Sequence, residues 1–149
     1  MLGFTLEYPR PKIVPLRKKD RAASNRIMRL LIADDSELLR SHLVEMLSEI
    51  KGIVVVGEAR NSREAIAQVE NLNPDLVILD IRMPGGDGLV ALEAIRKIQK
   101  KPIQVVVFTN HPYLQYRKKC MDAGADFFFY KAREFDKLIK TMQDLARSS

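Results

Sequence analysis

The sequence predicts an α/β fold: a doubly wound, five-stranded parallel sheet with helices on both faces. Two observations support this. From residue 28 onward, five short apolar runs alternate with longer segments whose apolar residues recur at helical spacing. The run Leu76-Val77-Ile78-Leu79 also has no polar interruption, which is typical of a parallel strand covered on both faces.

The five apolar runs are the predicted strands. Each is rich in Leu, Ile, Val or Phe, and each is too short for an ordinary helix. Gly57 is expected to close the second run, because glycine often ends a strand. The predicted strands cover residues 30–33, 53–56, 76–79, 103–108 and 127–130.

The intervening segments are the predicted helices. Asp35 or Ser36 can cap the first, and Asn61 or Ser62 can start the second, which ends before Pro74. The other three are expected near residues 88–99, 113–123 and 134–146. The predicted inward residues are Leu39, Leu43, Leu47 and Ile50; Ala65, Ile66, Val69 and Leu72; Leu89, Leu92, Ile95 and Ile98; and Phe135, Leu138, Ile139, Met142 and Leu145.

Strict strand–helix alternation also fixes the expected topology. Parallel neighbours require crossover connections, which are right-handed in nearly all proteins. The expected strand order is therefore the flavodoxin-like 2-1-3-4-5, with a ligand crevice at the carboxyl ends of strands 1 and 3.

Length and composition predict one soluble domain. The chain has 149 residues, and none of its apolar runs reaches the ~18–20 residues that span a bilayer. We therefore expect no membrane partner. A single cysteine, Cys120, cannot form an internal disulfide, so we also expect the protein to be cytoplasmic.

The net charge of +6 is concentrated at the start of the chain. Residues 1–29 hold eight Lys or Arg and two acids, whereas residues 30–149 hold seventeen of each. We expect residues 1–27 to be a flexible basic arm and residues 28–149 to be the folded domain. The arm either binds nucleic acid or an acidic partner, or is a passive extension; its shortness and few aromatics favour the passive interpretation.

Polar side chains follow four of the predicted strands. Asp34 and Asp35 follow strand 1, Asp80 follows strand 3, Thr109 follows strand 4 and Lys131 follows strand 5. Taken singly, these residues have ordinary explanations as helix caps, strand residues or a solvated charge. In the expected topology, however, they meet at one edge of the sheet, where three carboxylates need a cation. The sequence therefore predicts a Mg²⁺ site.

A cation, a hydroxyl and an ammonium around one aspartate suit phosphoryl transfer. Asp80 would be the nucleophile, Lys131 would neutralise a bound anion and Thr109 would donate a hydrogen bond.

These motifs resemble the receiver domain of two-component response regulators. The resemblance covers residues 28–147 and rests on Ile32-Ala33-Asp34-Asp35-Ser36, on Leu79-Asp80-Ile81-Arg82-Met83-Pro84 with Gly88, on Phe108-Thr109 and on Tyr130-Lys131. It implies that Asp80 accepts a phosphoryl group from a phosphohistidine of a sensor histidine kinase or phosphotransfer protein.

The resemblance also implies roles for the other site residues. Asp34, Asp35 and Asp80 would arrange Mg²⁺ with the main-chain carbonyl of Arg82, and Thr109 and Lys131 would hold the phosphoryl oxygens. Phe128, three residues before Lys131, falls at the family's aromatic switch position. Its inward rotation, with a shift of the Thr109 hydroxyl, would change a surface formed by helix 4, strand 5 and helix 5. Family members often form homodimers through that surface.

Two residues depart from the family pattern. Ala132 stands where proline often follows the lysine, which predicts a looser or differently shaped loop. Asn110 stands where alanine or glycine often follows the hydroxyl residue, and its amide could crowd the phosphoryl group or hydrogen-bond to it.

Three functions from different classes are compatible with these residues. The first is a stand-alone response regulator that switches the binding of a downstream protein. The second is a multi-turnover phosphatase, which ranks low because aspartyl-phosphate hydrolases need a second acid two residues after the nucleophile, and Arg82 stands there. The third is receiver-regulated nucleic-acid binding through the basic arm.

Overall fold

The computed structural model describes residues 26–84, 86–111 and 113–148. The predicted basic arm lies outside the described residues, apart from residues 26 and 27.

Five parallel strands form one sheet, in the order β2-β1-β3-β4-β5. The predicted fold class and strand order are therefore confirmed. The strands are β1 (Met28–Ala33), β2 (Ile53–Ala59), β3 (Leu76–Leu79), β4 (Gln104–Thr109) and β5 (Phe127–Tyr130).

Five helices connect and follow these strands, within about two residues of the predicted bounds. They are α1 (Glu37–Ser48), α2 (Ser62–Leu72), α3 (Gly88–Ile98), α4 (Leu114–Asp122) and α5 (Phe135–Ser148). Ser36 caps α1, because its side chain accepts a hydrogen bond from the Leu39 N–H at 3.1 Å. Asn61 caps α2 by accepting from the Glu64 N–H at 2.8 Å.

The prediction that strand 2 ends at Gly57 is wrong, since β2 continues through Gly57 to Ala59. The pairing of β2 with β1 shifts register at this point, between Leu30 and Leu31. A Cβ atom on Gly57 would lie 2.7 Å from Cδ1 of Leu72. This glycine therefore makes room for the end of α2 against the strand and does not break it.

The core has two layers, one on each face of the sheet. Alternate residues of β1 enter different layers: Leu31 packs with the side of α2, α3 and α4, and Leu30 with the side of α1 and α5. Covered on both faces, the central strands carry polar chemistry only where they end. Among the helices of the described residues, none combines the length and the apolar character that a membrane span requires.

Candidate functional site

The acidic residues of the site lie at the carboxyl ends of two adjacent strands. The sheet hydrogen bonding continues past β1 and β3, with the Asp34 N–H bonded to the Ala59 carbonyl and the Asp80 N–H to the Ala33 carbonyl, each at 2.9 Å. This pairing brings the two aspartates to the same edge of the sheet. Asp35 joins them, and one carboxylate oxygen from each of the three residues lies within 4.8 Å of the others.

Both oxygens of the Asp80 carboxylate are held by neighbouring residues. Oδ1 accepts hydrogen bonds from the Thr109 hydroxyl at 2.7 Å and from the Arg82 N–H at 3.0 Å. Oδ2 lies 2.9 Å from the Nζ of Lys131. Asp80 is only 3% exposed. A buried carboxylate with its two oxygens fixed by different donors presents a defined direction of attack.

Lys131 connects Asp80 to Asp34. Its Nζ lies 2.5 Å from Oδ2 of Asp34 as well as 2.9 Å from Asp80. Burial alone would lower the pKa of the Lys131 ammonium, but hydrogen bonds and charges from the two aspartates outweigh burial and raise it. Lys131 therefore carries its charge in the site at neutral pH.

At Asp34, burial has a larger effect on the pKa than the hydrogen bonds do. Burial raises the pKa of its carboxyl above the usual value, and hydrogen bonds from Lys131 and the Ser36 N–H offset that effect only in part. The charge of nearby Asp80 adds to the increase. Two buried carboxylates thus share one ammonium, which leaves excess negative charge where a cation would be stabilised.

The acidic group is chemically suited to Mg²⁺. That ion prefers hard oxygen ligands and usually binds through a few carboxylates while keeping several waters. Asp34 and Asp80 are buried and held in place, and the exposed Asp35 faces solvent, where bound waters would lie.

Arg40, which the sequence analysis did not identify, holds the main chain of the acidic group in place. Arg40 lies on α1 and is buried, and its Nη1 donates to the main-chain carbonyl of Asp34 at 2.6 Å. Its Nε pairs with Glu58 of β2 at 2.8 Å. The available signal was an arginine within the apolar stripe of the first predicted helix, since a charge there needs a buried partner.

The two predicted switch residues are both buried. Thr109 ends β4 with its hydroxyl directed at Asp80, and Phe128 of β5 packs in the core on the side of α2, α3 and α4. Arg117 of α4 lies over the Phe128 ring at 5.4 Å and donates to the Phe128 carbonyl at 3.2 Å. Phe128 therefore connects this side of the core to Arg117, an exposed residue of α4.

The two departures from the family pattern contact each other. The amide oxygen of Asn110 accepts a hydrogen bond of 3.0 Å from the N–H of Ala132. A proline at position 132 would have no such N–H. The Asn110 oxygen is thus directed at the loop after β5.

Known proteins that resemble this chain come from one family. Residues 30–143 match the model of the response regulator receiver domain. A protein-glutamate methylesterase/protein-glutamine glutaminase of Alkalilimnicola ehrlichii is 40% identical over 106 residues, which are 70% of this chain and 27% of that protein. The nitrate/nitrite response regulator NarL of Escherichia coli is 34% identical over 119 residues, which are 78% of this chain and 54% of NarL.

The chain thus spans about a quarter to about half of the length of these two curated relatives. Among solved structures, a chain from the CheX–CheY–BeF3–Mg complex of Borrelia burgdorferi superposes with a TM-score of 0.74 at 26% identity, covering 83% of this chain and 92% of that one. The fold, the acidic group and the sequence match lead to one conclusion: this chain belongs to the response regulator receiver family of two-component signalling.

Proposed function

We propose that Asp80 accepts a phosphoryl group from a phosphohistidine of a sensor histidine kinase or phosphotransfer protein, and that this changes the binding of a downstream protein. The observation that carries the proposal is the pair of contacts on Asp80, with Thr109 on one carboxylate oxygen and Lys131 on the other. A caged carboxylate of this kind suits a nucleophile whose product must also be held.

The reaction transfers one phosphoryl group between two side chains. A carboxylate oxygen of Asp80 forms a bond to phosphorus while the bond from phosphorus to the imidazole nitrogen breaks. The electron pair of that bond remains on the imidazole. Lys131 and Thr109 then donate to the phosphoryl oxygens, because both already lie within 3 Å of the attacking carboxylate.

Mg²⁺ would be held by Asp34, Asp35 and Asp80 with the main-chain carbonyl of Arg82. When bound, it supplies positive charge that offsets the negative charge accumulating on the phosphoryl oxygens. Arg40 contributes by fixing the main chain of Asp34 through their 2.6 Å hydrogen bond.

Phosphorylation would change the binding surface by moving the side chains of Thr109 and Phe128. A phosphoryl group that draws the Thr109 hydroxyl would stabilise the inward position of Phe128, and Arg117 would transmit this to α4. The responding surface would be α4, β5 and α5, which either binds a downstream protein or pairs two copies of the chain. Comparing the sedimentation of phosphorylated and unmodified protein separates these two outcomes.

Turnover of added phosphomonoesters is not part of this proposal. The position two residues after Asp80 is Arg82, which cannot act as the second acid that aspartyl-phosphate hydrolases use. The acyl phosphate is instead expected to hydrolyse slowly in the same site.

The direct test is labelling with a small phosphodonor such as acetyl phosphate, followed by intact-mass measurement. Wild type with Mg²⁺ should gain one phosphoryl group, whereas Asp80→Asn or removal of Mg²⁺ should abolish the gain. Thr109→Ser keeps the hydroxyl and serves as the matched control for Thr109→Ala. Full labelling of Asp80→Asn would count against the proposal.

A second candidate function rests on the charge of the first residues. Eight Lys or Arg and two acids within residues 1–29 are the charge that salt-dependent, sequence-independent binding of nucleic acid would use. Affinity for duplex DNA that falls steeply with salt, and disappears when residues 1–27 are deleted, would support it. Absent or salt-insensitive binding would remove it.

A further inference from the structure

We infer that Asn110 is a positioning residue for phosphoryl transfer, acting through its hydrogen bond to Ala132. This inference rests on the proposed function and deepens it. The Ala132 N–H donates to the Asn110 amide oxygen at 3.0 Å, and we call this hydrogen-bonded pair the loop latch.

The latch joins the two loops that carry the phosphoryl-holding residues. Thr109 directly precedes Asn110, and Lys131 directly precedes Ala132. Thr109 and Lys131 also meet through the sheet, since the Lys131 N–H donates to the Thr109 carbonyl at 2.9 Å. The latch therefore continues the pairing of β4 and β5 by one further contact, made by a side chain in place of the main chain.

The contacts form a closed ring around Asp80. Thr109 holds Oδ1 at 2.7 Å, Lys131 holds Oδ2 at 2.9 Å, and the latch connects the residues that follow them. Two donors must reach the same phosphoryl group, so their relative position controls the rate of transfer. Fixing the two loops against each other fixes that position.

Other hydrogen bonds in the two loops are local. In the loop after β5, Glu134 bonds back to Tyr130: its N–H donates to the Tyr130 carbonyl, and its carboxylate accepts from the Tyr130 N–H. In the loop after β4, the His111 N–H donates to the Thr109 hydroxyl at 3.3 Å. These bonds shape each loop separately, whereas the latch relates one loop to the other.

The two departures are complementary in this chain. Ala132 supplies an N–H that proline lacks, and Asn110 supplies an acceptor that alanine or glycine lacks. Each departure alone would leave one half of the pair without its partner.

The experiment separates the hydrogen bond from the bulk of the side chain. Asn110→Leu keeps a side chain of similar size without an acceptor, and Asn110→Ala removes both. Positioning predicts that both variants lower the rate of Asp80 phosphorylation at saturating acetyl phosphate by about three- to tenfold, the range expected for one net hydrogen bond. The half-saturating donor concentration and the Mg²⁺ affinity should stay within about twofold, because the hydrogen bond of Asn110 goes to Ala132 and not to Asp34 or Asp35.

Two further measurements exclude a merely structural effect. Hydrogen exchange of the Ala132 amide should accelerate in both variants while the exchange of core amides stays unchanged. In the background of Ala132→Pro, which removes the donor, Asn110→Ala should cause no additional loss of rate.

The inference is overturned if either variant phosphorylates within twofold of wild type, or faster. If Asn110→Ala is phosphorylated faster than wild type and Asn110→Leu at the wild-type rate, the side chain of Asn110 crowds the site. Failure of wild type to become labelled on Asp80 would instead reject the proposed function itself, so the two failures are distinguishable.

Discussion

Lys131 and Asp34 form a buried ion pair inside the acidic group, with 2.5 Å between Nζ and Oδ2. The lysine side chain is 17% exposed and the aspartate side chain 3%. A carboxylate that would bind Mg²⁺ is therefore also the partner of the ammonium that we propose holds the phosphoryl group. Cation binding and the position of Lys131 would then be coupled through Asp34.

Replacing Lys131 is expected to separate these two roles. Lys131→Met removes a positive charge adjacent to Asp34 and Asp80, so Mg²⁺ affinity should rise by about three- to tenfold. Phosphorylation by acetyl phosphate should nevertheless slow, because the phosphoryl oxygens lose a donor. Titration calorimetry measures the affinity, and the labelling assay measures the rate.

Lys137→Met is the matched control for this change. Lys137 is exposed and pairs only with Glu134 among its described partners. Its replacement should leave the Mg²⁺ affinity unchanged. A weaker or unaltered affinity in Lys131→Met would show that the ion pair does not compete with the cation.

Mg²⁺ binding should depend on pH through Asp34. Burial raises the pKa of this carboxyl, so the folded protein binds the proton at a higher pH than the unfolded chain. Protonation of Asp34 therefore adds to the free energy of unfolding. This contribution is fully present below the pKa of Asp34 in the unfolded chain, and it is lost as the pH rises through the higher pKa of Asp34 in the folded protein. Mg²⁺ offsets that loss by pairing with the charged form.

The affinity for Mg²⁺ should therefore decrease on acidification at a higher pH than an ordinary aspartate would cause. Calorimetric titrations over a pH series test this, with Asp34→Asn as the control that lacks the titrating group. A wild-type profile that coincides in shape with that of Asp34→Asn would contradict the role of Asp34.

The sequence was sufficient to predict the sheet, its strand order and the residues grouped at its edge. The reason is physical: buried parallel strands are apolar throughout, so a polar residue at a strand end stands out. Arg40 and the Asn110–Ala132 contact were not predictable in the same way. The contacts of Arg40 depend on how α1 packs beside β2, and the Asn110–Ala132 contact depends on the distance between two loops remote in sequence. Gly57 was misinterpreted because a glycine that relieves a side-chain contact looks, in sequence, like one that ends a strand.

Gly88 is expected to be essential for the packing of the turn after Asp80. This turn includes a pair of two-residue antiparallel strands, Arg82–Met83 and Gly86–Asp87, and α3 begins at Gly88. A Cβ on Gly88 would lie 2.2 Å from Cα of Ile81, which is main chain and cannot move aside cheaply.

Gly88→Ala should therefore lower the free energy of unfolding by about 1–3 kcal/mol or more. It should also weaken Mg²⁺ binding, because Ile81 directly follows Asp80. Val90→Ala, at an exposed position of the same helix, should change stability by about 0.5 kcal/mol or less. Denaturant unfolding of both variants makes the comparison, and a wild-type stability for Gly88→Ala would contradict the packing argument.

Arg40 is expected to matter for both stability and the acidic group. Arg40→Ala removes the donor to the Asp34 carbonyl and leaves Glu58 without its partner, so the free energy of unfolding should fall by about 1–3 kcal/mol. Mg²⁺ affinity should fall as well, because the main chain of Asp34 is less restrained.

Glu58→Gln is the control that separates the two contacts of Arg40. The Glu58 side chain is 46% exposed, and its amide analogue can still accept from Arg40, so only a small change is expected. If Arg40→Ala lowers stability without changing Mg²⁺ affinity, Arg40 supports the fold alone.

The central claim is that Asp80 is the residue that becomes phosphorylated. The most direct measurement treats wild type with acetyl phosphate and Mg²⁺, reduces the acyl phosphate with borohydride, and locates the resulting homoserine by peptide mass spectrometry. We predict homoserine at position 80 and at no other aspartate of the sheet edge. Homoserine at Asp34 or Asp35, or none in a sample whose intact mass shows phosphorylation, would contradict the claim.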